Sequence, residues 1–316
     1  MVLPVNDQNI DSEPCWNDPN IIGVLLRNSW YNIQPNDAAN YGWSYFVHGL
    51  QLCQQYGKFA MLEVSAGNNC PTWVTTYPGL NTSLLDALPN GKPACYIPPP
   101  WDPVFQSLWG TFVAAFGAKF DGDQLVLGVT MWSGGRDEEA FFAQTPRDVT
   151  RLDNYVNPAN GVQGLQNWID GMHWDIDQYA SFPTTEAYLA TGIDYANDSG
   201  VSMTQVARYA IATFMGGGSI QSNGFTPSYP EPNTYFPHTN LALDGPLMGP
   251  YTGYQFAASL PANVTNPGPS YMGTMAECVA NALAANAIRF QCYPGDPATD
   301  PGEASLIHFN QVVGAP

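Results

Sequence analysis

Short apolar runs alternate with longer stretches of helical periodicity along most of the chain. Ile21 to Trp30 (IIGVLLRNSW) and Lys58 to Gly67 (KFAMLEVSAG) are apolar, rich in β-branched or bulky residues and bounded by turn formers, so each predicts a buried strand. Leu125 to Val129, Glu186 to Ile193, Gly218 to Phe225, a segment within Leu247 to Ala258 and Ala287 to Tyr293 predict five more, and Met1 to Val5 a short first strand. Between them, Trp43, Phe46, Val47, Leu50 and Cys53 recur at helical spacing until Gly57 stops the run. Phe105, Leu108, Trp109, Phe112, Val113 and Phe116 do the same after Asp102, a good N-cap, and Pro103, a good first helical residue. Leu165, Trp168, Ile169, Met172, Ile176 and Tyr179 form a third helical stripe, and Met203 to Phe214 and Gly273 to Asn286 read as two further helices. Strands alternating with helices argue for a parallel sheet, and their number favours closure into a (β/α)8 TIM barrel. An open doubly wound sheet is the competitor, but no glycine-rich phosphate turn follows the first strand. The expected architecture is one α/β domain over residues 1–316, with residues 1–20 turn-rich and partly extended.

The stretch Leu125 to Phe142 (LVLGVTMWSGGRDEEAFF) carries the strongest chemical signal. An apolar strand there ends in Trp132, breaks at Ser133-Gly134-Gly135 and delivers Arg136, Asp137, Glu138 and Glu139 into the next loop. Barrel enzymes place their reactive groups in that position, after the C-terminal ends of strands. Charged residues make up only 11% of the chain, which sets three adjacent acids apart. The alternative is a solvated turn whose acids begin a helix at Glu138 and are favoured by the helix dipole.

Charge narrows the partners. Nine Lys and Arg against 27 Asp and Glu give a formal charge of -18, which repels phosphate backbones and anionic lipid. Neither nucleic acid nor a membrane is expected as a partner, and no apolar run approaches the roughly 18 residues of a membrane span. A neutral ligand fits better. Abundant Asn, Gln, Gly, Pro, Tyr and Trp with little Lys suggests a secreted, extracellular setting, although the start MVLPVNDQNIDSEP has no signal-peptide pattern. The sequons at Asn81, Asn197 and Asn263 would be glycosylated in a source that does so.

Six cysteines fit the same setting. Cys70 and Cys95 bracket the polar connection Asn68 to Pro100, where a cross-link would close about 25 residues and contribute roughly 2 to 4 kcal/mol. Cys15 with Cys53, and Cys278 with Cys292, are the remaining pairs of one possible connectivity; reduced, buried thiols are the alternative. No CxxC or HxxxH spacing appears and the histidines are scattered, so neither a metal nor another cofactor is expected.

From Ile21 onward the order of motifs resembles the (β/α)8 glycoside hydrolases of the retaining, β-glycosidase-like superfamily. GVLLRNSWYNIQPNDAANYGWSYF looks like that superfamily's second-strand passage, KFAMLEVSAGNNCPTW like its third strand and Pro-x-Trp loop, and LVLGVTMWSGGRDEE like its fourth strand, where an acid/base glutamate sits. Two departures stand out. Trp132-Ser133 occupies the place of the usual Asn-Glu, and PYTGYQFAAS offers Gln255 where the strand-seven nucleophile is expected. An amide cannot act as that nucleophile.

The resemblance implies cleavage of a neutral poly- or oligosaccharide by a proton-donating carboxylic acid and a second carboxylate. Glu139 is the first candidate for the acid and Glu138 the second; Asp244, Asp194, Glu63 and Asp296 are candidates for the partner. Trp30, Trp73, Trp101 and Trp132 fall at strand ends or in the following loops, where flat rings could stack on sugars, whereas Trp109, Trp168 and Trp174 lie on helix patterns and are expected to pack. Arg136, Asn223 and Gln255 are candidates to bind hydroxyls. Glu63 lies mid-strand opposite Arg27 on the preceding strand, so the two are expected to pair inside the barrel, with or without touching substrate. A non-catalytic glycan-binding or structural protein on the same barrel is the second hypothesis, favoured by Gln255. Sequence leaves the oligomeric state open.

Overall fold

The computed structural model describes residues 9–86, 93–132, 134–135, 145–191, 201–214, 218–225, 252–256, 274–284, 287–292, 296–300 and 303–314. Seven strands form one sheet: β1 (Gly23–Ser29), β2 (Phe59–Ser65), β5 (Val126–Met131), β6 (Glu186–Thr191), β7 (Gly218–Phe225), β8 (Thr252–Phe256) and β9 (Arg289–Gln291). Two short strands, β3 (Ser83–Leu85) and β4 (Cys95–Ile97), pair antiparallel as a separate ribbon. The helices are α1 (Trp30–Ile33), α2 (Ser44–Tyr56), α3 (Thr72–Thr75), α4 (Pro103–Phe120), α5 (Pro146–Asp153), α6 (Leu165–Gln178), α7 (Val201–Thr213), α8 (Met275–Ala284) and α9 (Ala304–Val313). Strand order in the large sheet follows chain order and every pairing is parallel, which is the topology of a (β/α)8 barrel. Each of the seven strands expected from Ile21 onward is present; the strand expected at Met1 to Val5 lies outside the described residues.

Closure is visible in the side chains. Laid flat, β2 and β9 would stand about 24 Å apart, five strand spacings. Instead Arg289 Nη1 lies 2.8 Å from Met61 Sδ, and Gln291 Nε2 lies 3.9 Å from the same sulfur. The sheet therefore curls until its two ends share an interior. Asn310 on α9 reinforces this by donating to the carbonyl of Asn20, just before β1, at 2.9 Å.

Period-two alternation sorts the strand residues into two layers. Val24, Leu26, Leu62, Val64, Val129, Met131, Ala187 and Leu189 join the apolar cluster beneath the helices, whereas Leu25, Met61, Tyr188 and Ala190 are buried apart from it, on the barrel's inner face. The outer layer is dominated by aromatics. Trp30, Phe105, Trp109, Phe112, Phe116 and Phe120 meet one another at centroid separations of 5.0 to 6.4 Å. Most of that list comes from one stripe of α4.

Local signals ended the helices where expected. Gly57 caps α2 in the left-handed region (φ 65°), a conformation that favours glycine. Asp102 caps α4, its Oδ1 accepting from the backbone N–H groups of Val104 (2.8 Å) and Phe105 (3.0 Å). Residues 9–20, the described part of the turn-rich N-terminal stretch, hold two 3-10 turns, with the Trp16 indole donating to the Ile10 carbonyl. The connection from 68 to 100 is not a bare loop, since it holds α3 and the β3–β4 ribbon. Helices α5 and α9 were not expected from the sequence.

No disulfide joins the cysteines. The expected Cys70–Cys95 staple is absent: Cys70 is a free thiol turned into the apolar cluster, and Cys95 is held through the pairing of β4 with β3. Burial pushes the Cys70 thiol far up, and the Cys15 and Cys53 thiols up to about 11 and about 12. Protonated, shielded thiols are poor nucleophiles for exchange.

Asp102 also accepts from Asn81 through Oδ2, at 3.1 Å from the backbone N and 3.0 Å from Nδ2. One nearly buried carboxylate thus caps α4 and anchors the connection. Asp102→Ala should cost about 2 kcal/mol, roughly 1 for the cap and about as much for the stranded Asn81 donors. Urea denaturation should show this as a lower midpoint with unchanged slope, and Asp102→Asn should recover about half.

Candidate active site

In a parallel ladder, residues in register point to the same face. Arg27 stands abreast of Glu63, and Glu63 abreast of Thr130, so the three share the inner face toward the C-terminal ends of β1, β2 and β5. Arg27 Nε lies 2.5 Å from Glu63 Oε1, and Glu63 is 1% exposed. The pairing expected from sequence is formed. Water has little access to this carboxylate, so the guanidinium takes the place of the lost solvent. Removing one partner of such a pair typically costs about 3 to 5 kcal/mol.

Behind the pair lies a second buried cluster that sequence reasoning did not single out. The Tyr179 hydroxyl accepts the backbone N–H of Trp132 at 2.9 Å, pinning the residue at which β5 becomes the acidic loop. Burial raises this phenol's pKa well above its usual value, and the Asp175 and Glu63 carboxylates add to the shift. Asp175 is fully buried on α6, with Oδ1 accepting from the Trp109 indole at 2.6 Å. Burial pushes its pKa well above the usual carboxylate range, although the Trp109 bond pulls it back. Its spacing was the available signal: three residues after Met172 and four before Tyr179, Asp175 sits on the buried stripe of its helix.

The loop that follows β5 is held at both ends. On entry, Gly134 adopts φ 71°, and a Cβ there would come within 2.3 Å of Met172 Sδ. On exit, Thr145 caps α5 by accepting from Asp148 N (3.1 Å), and Arg151 Nη1 binds Asp86 Oδ1 (3.1 Å) and Asp148 Oδ1 (3.3 Å). Asp86 N donates in turn to Asp148 at 2.9 Å, tying α5 to the connection that follows β2. Arg136, Glu138 and Glu139 themselves lie outside the described residues, as do Asp194 and Asp244.

Three of the four candidate tryptophans are buried, Trp101 among them at 6% exposure. Trp30 is 0% exposed, donates to Gln34 Oε1 at 2.8 Å and packs 5.0 Å from Trp109. Trp132 is 1% exposed and wedged edge-on between Phe105 (5.4 Å) and Trp109 (5.5 Å). Neither ring has a face left for a sugar. Their strand-end positions turn them back under the helices rather than up into the mouth. Trp73, on α3, is half-buried; its indole donates to the Gln34 carbonyl at 2.7 Å, which fixes the ring where part of it still meets solvent. Trp109 and Trp168 are buried packing residues.

Asn223 and Gln255 lie within β7 and β8 rather than after them, and stand in register with each other and with Gln291 of β9. The Gln291 side chain is buried inside the barrel, near Met61. Asp296 is buried in the turn that follows β9. Among the described residues no group of three or more His, Cys, Asp or Glu could hold a metal ion, and no helix is long and apolar enough to cross a membrane.

No family model matches the chain, and no curated protein matches its sequence. Solved structures do match its shape. The catalytic domain of β-amylase from Paenibacillus polymyxa superposes with a TM-score of 0.63 at 10% identity, over 99% of this chain and 97% of that one. This chain has the (β/α)8 fold of such glycoside hydrolases. The β-galactosidase from the psychrophilic Marinomonas ef1 gives 0.54 at 9% identity over 92% of this chain and 56% of its own. A cold-adapted β-galactosidase from a Rahnella species gives 0.51 at 12% identity, covering 85% of this chain and 45% of its own. The barrel expected from the alternation of strands and helices, and the resemblance to barrel glycosidases, both stand at the level of fold.

The raised pKa of Asp175 has a measurable consequence. Between the unfolded value near 4 and the raised folded value, the native state holds a proton that the unfolded chain releases, so stability falls as pH rises. Relative to Asp175→Asn, the wild type should lose up to about 1.4 kcal/mol per pH unit across that window. Urea unfolding of both proteins at a series of pH values from 4 to 8 (about four steps) checks it; parallel curves would show that Asp175 titrates normally.

Proposed function

We propose that the protein is a glycoside hydrolase acting on a neutral poly- or oligosaccharide, with Glu139 as general acid, Glu138 as the alternative donor and Asp244 as the partner carboxylate. The observation that carries this reading is the anchoring around the acidic loop. The β5 exit pinned by Tyr179 and the Asp86–Arg151–Asp148 cluster on α5 flank the acidic segment in sequence, and the first of them lies at the C-terminal end of a barrel strand. Barrel enzymes work at that end. Neighbouring acids raise one another's proton affinity, which suits a proton donor. Trp73, Arg136, Asn223 and Gln255 would contact the glycan, and the Arg27–Glu63 pair lies on the floor beneath it. The names of two solved neighbours, β-amylase and β-galactosidase, support carbohydrate as the ligand class. The extracellular setting rests on composition.

A second reading, glycan binding without cleavage, is favoured by the register of Asn223, Gln255 and Gln291. The three residues are in backbone register, and Gln255 occupies the strand-seven place where a nucleophilic carboxylate is expected.

Glu139→Gln keeps the shape of the side chain and removes the donatable proton, so turnover of a natural glycan should fall about 100- to 10,000-fold while binding persists. Aryl glycosides, whose leaving groups need less protonation, should suffer less. An unchanged rate in Glu139→Gln with loss in Glu138→Gln would move the acid by one residue. Absence of cleavage across a broad glycan panel, with binding retained, would replace hydrolysis by the binding reading.

A further inference from the structure

The opposite end of the barrel holds a cavity that the proposed chemistry does not use. It encloses about 290 Å³ where β1, β5, β6 and β9 begin, and α9 closes one side. Leu127, Ile288, Leu306 and Phe309 form its walls, and Glu186, Tyr188 and Arg289 its floor. A register shift between β2 and β5 leaves Leu127 out of the ladder, and its side chain is 44% exposed; Ile288 across the mouth is 43% exposed. Two large apolar side chains thus stand at the rim of an open hollow.

Two glycines make room for the floor. A Cβ on Gly128 would meet the Tyr188 ring at 2.3 Å, and one on Gly253 would meet Arg289 Nη2 at 2.5 Å. With both absent, the Arg289 guanidinium lies 3.7 Å from the centroid of the Tyr188 ring, and the Tyr188 hydroxyl donates to Glu186 Oε2. The strands sacrifice two side chains to seat one cation and one carboxylate at the base of an apolar cavity. The opposite charges balance, so neither an anion nor a cation is attracted by net charge at the floor. A hydroxyl can donate to the carboxylate and accept from the guanidinium at once.

We propose that this cavity is a binding site for a small, neutral, mostly apolar alcohol, of about the size of a substituted phenol. The volume lies at the lower end for ligand pockets, and the apolar walls with a few convergent polar groups are their usual lining. The site is separate from the C-terminal mouth, so binding there does not depend on the glycosidase reading.

The test uses 4-methylphenol, toluene and 4-methylbenzoate as probes of the full chain, followed by saturation-transfer NMR and titration. For an eight-heavy-atom ligand a Kd of about 1 mM is expected for 4-methylphenol. Toluene, lacking the hydroxyl, should bind about fivefold more weakly, and 4-methylbenzoate, whose charge would lose its hydration with no net counter-charge at the floor, more weakly still. Leu306→Trp fills the cavity and should abolish saturation transfer; because it could also disturb α9, Ile288→Trp, at the half-exposed rim, provides a second block, with circular dichroism confirming that each variant is folded. Glu186→Gln should reduce the preference for the phenol over toluene. Equal binding to wild type and to both folded tryptophan variants, or no binding of 4-methylphenol at about ten times the expected Kd, would overturn the proposal.

Discussion

The ion pair between Arg27 and Glu63 is the constraint around which the barrel interior is arranged. A carboxylate that is 1% exposed cannot remain charged without a partner, and only one register of β1 against β2 brings the guanidinium to within 2.5 Å. Slipping either strand by one residue would turn its own charge into the aromatic layer beneath the helices and leave the other buried without its partner. The pair therefore acts as a register key for the first two strands. Thr130 on β5 and Tyr179 behind β5 surround the same carboxylate.

From that key a chain of buried polar groups runs outward through the wall of the barrel. Tyr179 connects the environment of Glu63 to the backbone of Trp132, and Asp175 connects Tyr179 to the indole of Trp109 in the helix layer. Two buried carboxylates meet different surroundings: Glu63 faces the Arg27 guanidinium, whereas burial raises the proton affinity of Asp175 well above the usual carboxylate range against the opposing bond from the Trp109 indole. The aromatic mass of α4 supplies the low-dielectric surroundings that make both effects large, since Trp109, Phe112 and Phe116 stack beside this cluster.

The barrel's two ends differ in how they treat polarity. At the C-terminal end, helix caps and the Asp86–Arg151–Asp148 cluster fix backbone that leads into and out of loops. At the N-terminal end, Gly128 and Gly253 remove side chains so that Tyr188 and Arg289 can stack in the interior. The connection after β2 is stabilised by a ribbon, a short helix and the Asp102 anchor in place of a cross-link. Each device satisfies buried donors locally.

How much of this was legible in the sequence follows from the range of the forces involved. The strands from Ile21 onward, the cap at Asp102, the stop at Gly57 and the Arg27–Glu63 pair depend on local periodicity or on neighbouring strands, and they could be read from spacing alone. The fate of Trp30 and Trp132 could not. Both stand at strand ends, and whether such a ring turns up into the mouth or down under a helix depends on the space that α4 leaves. Cys70 and Cys95 bracket a loop in sequence, yet which way each thiol faces is set by α3 and the ribbon, elements too short to carry a periodic signal. Asp175 was readable as a position on a buried stripe, but the upward shift of its pKa comes from burial by distant elements, opposed by the bond from Trp109, 66 residues away. Sequence determined the elements, their order and the paired charge between adjacent strands. Only the closed barrel decided which polar groups lost water, because desolvation is a property of every surrounding element at once.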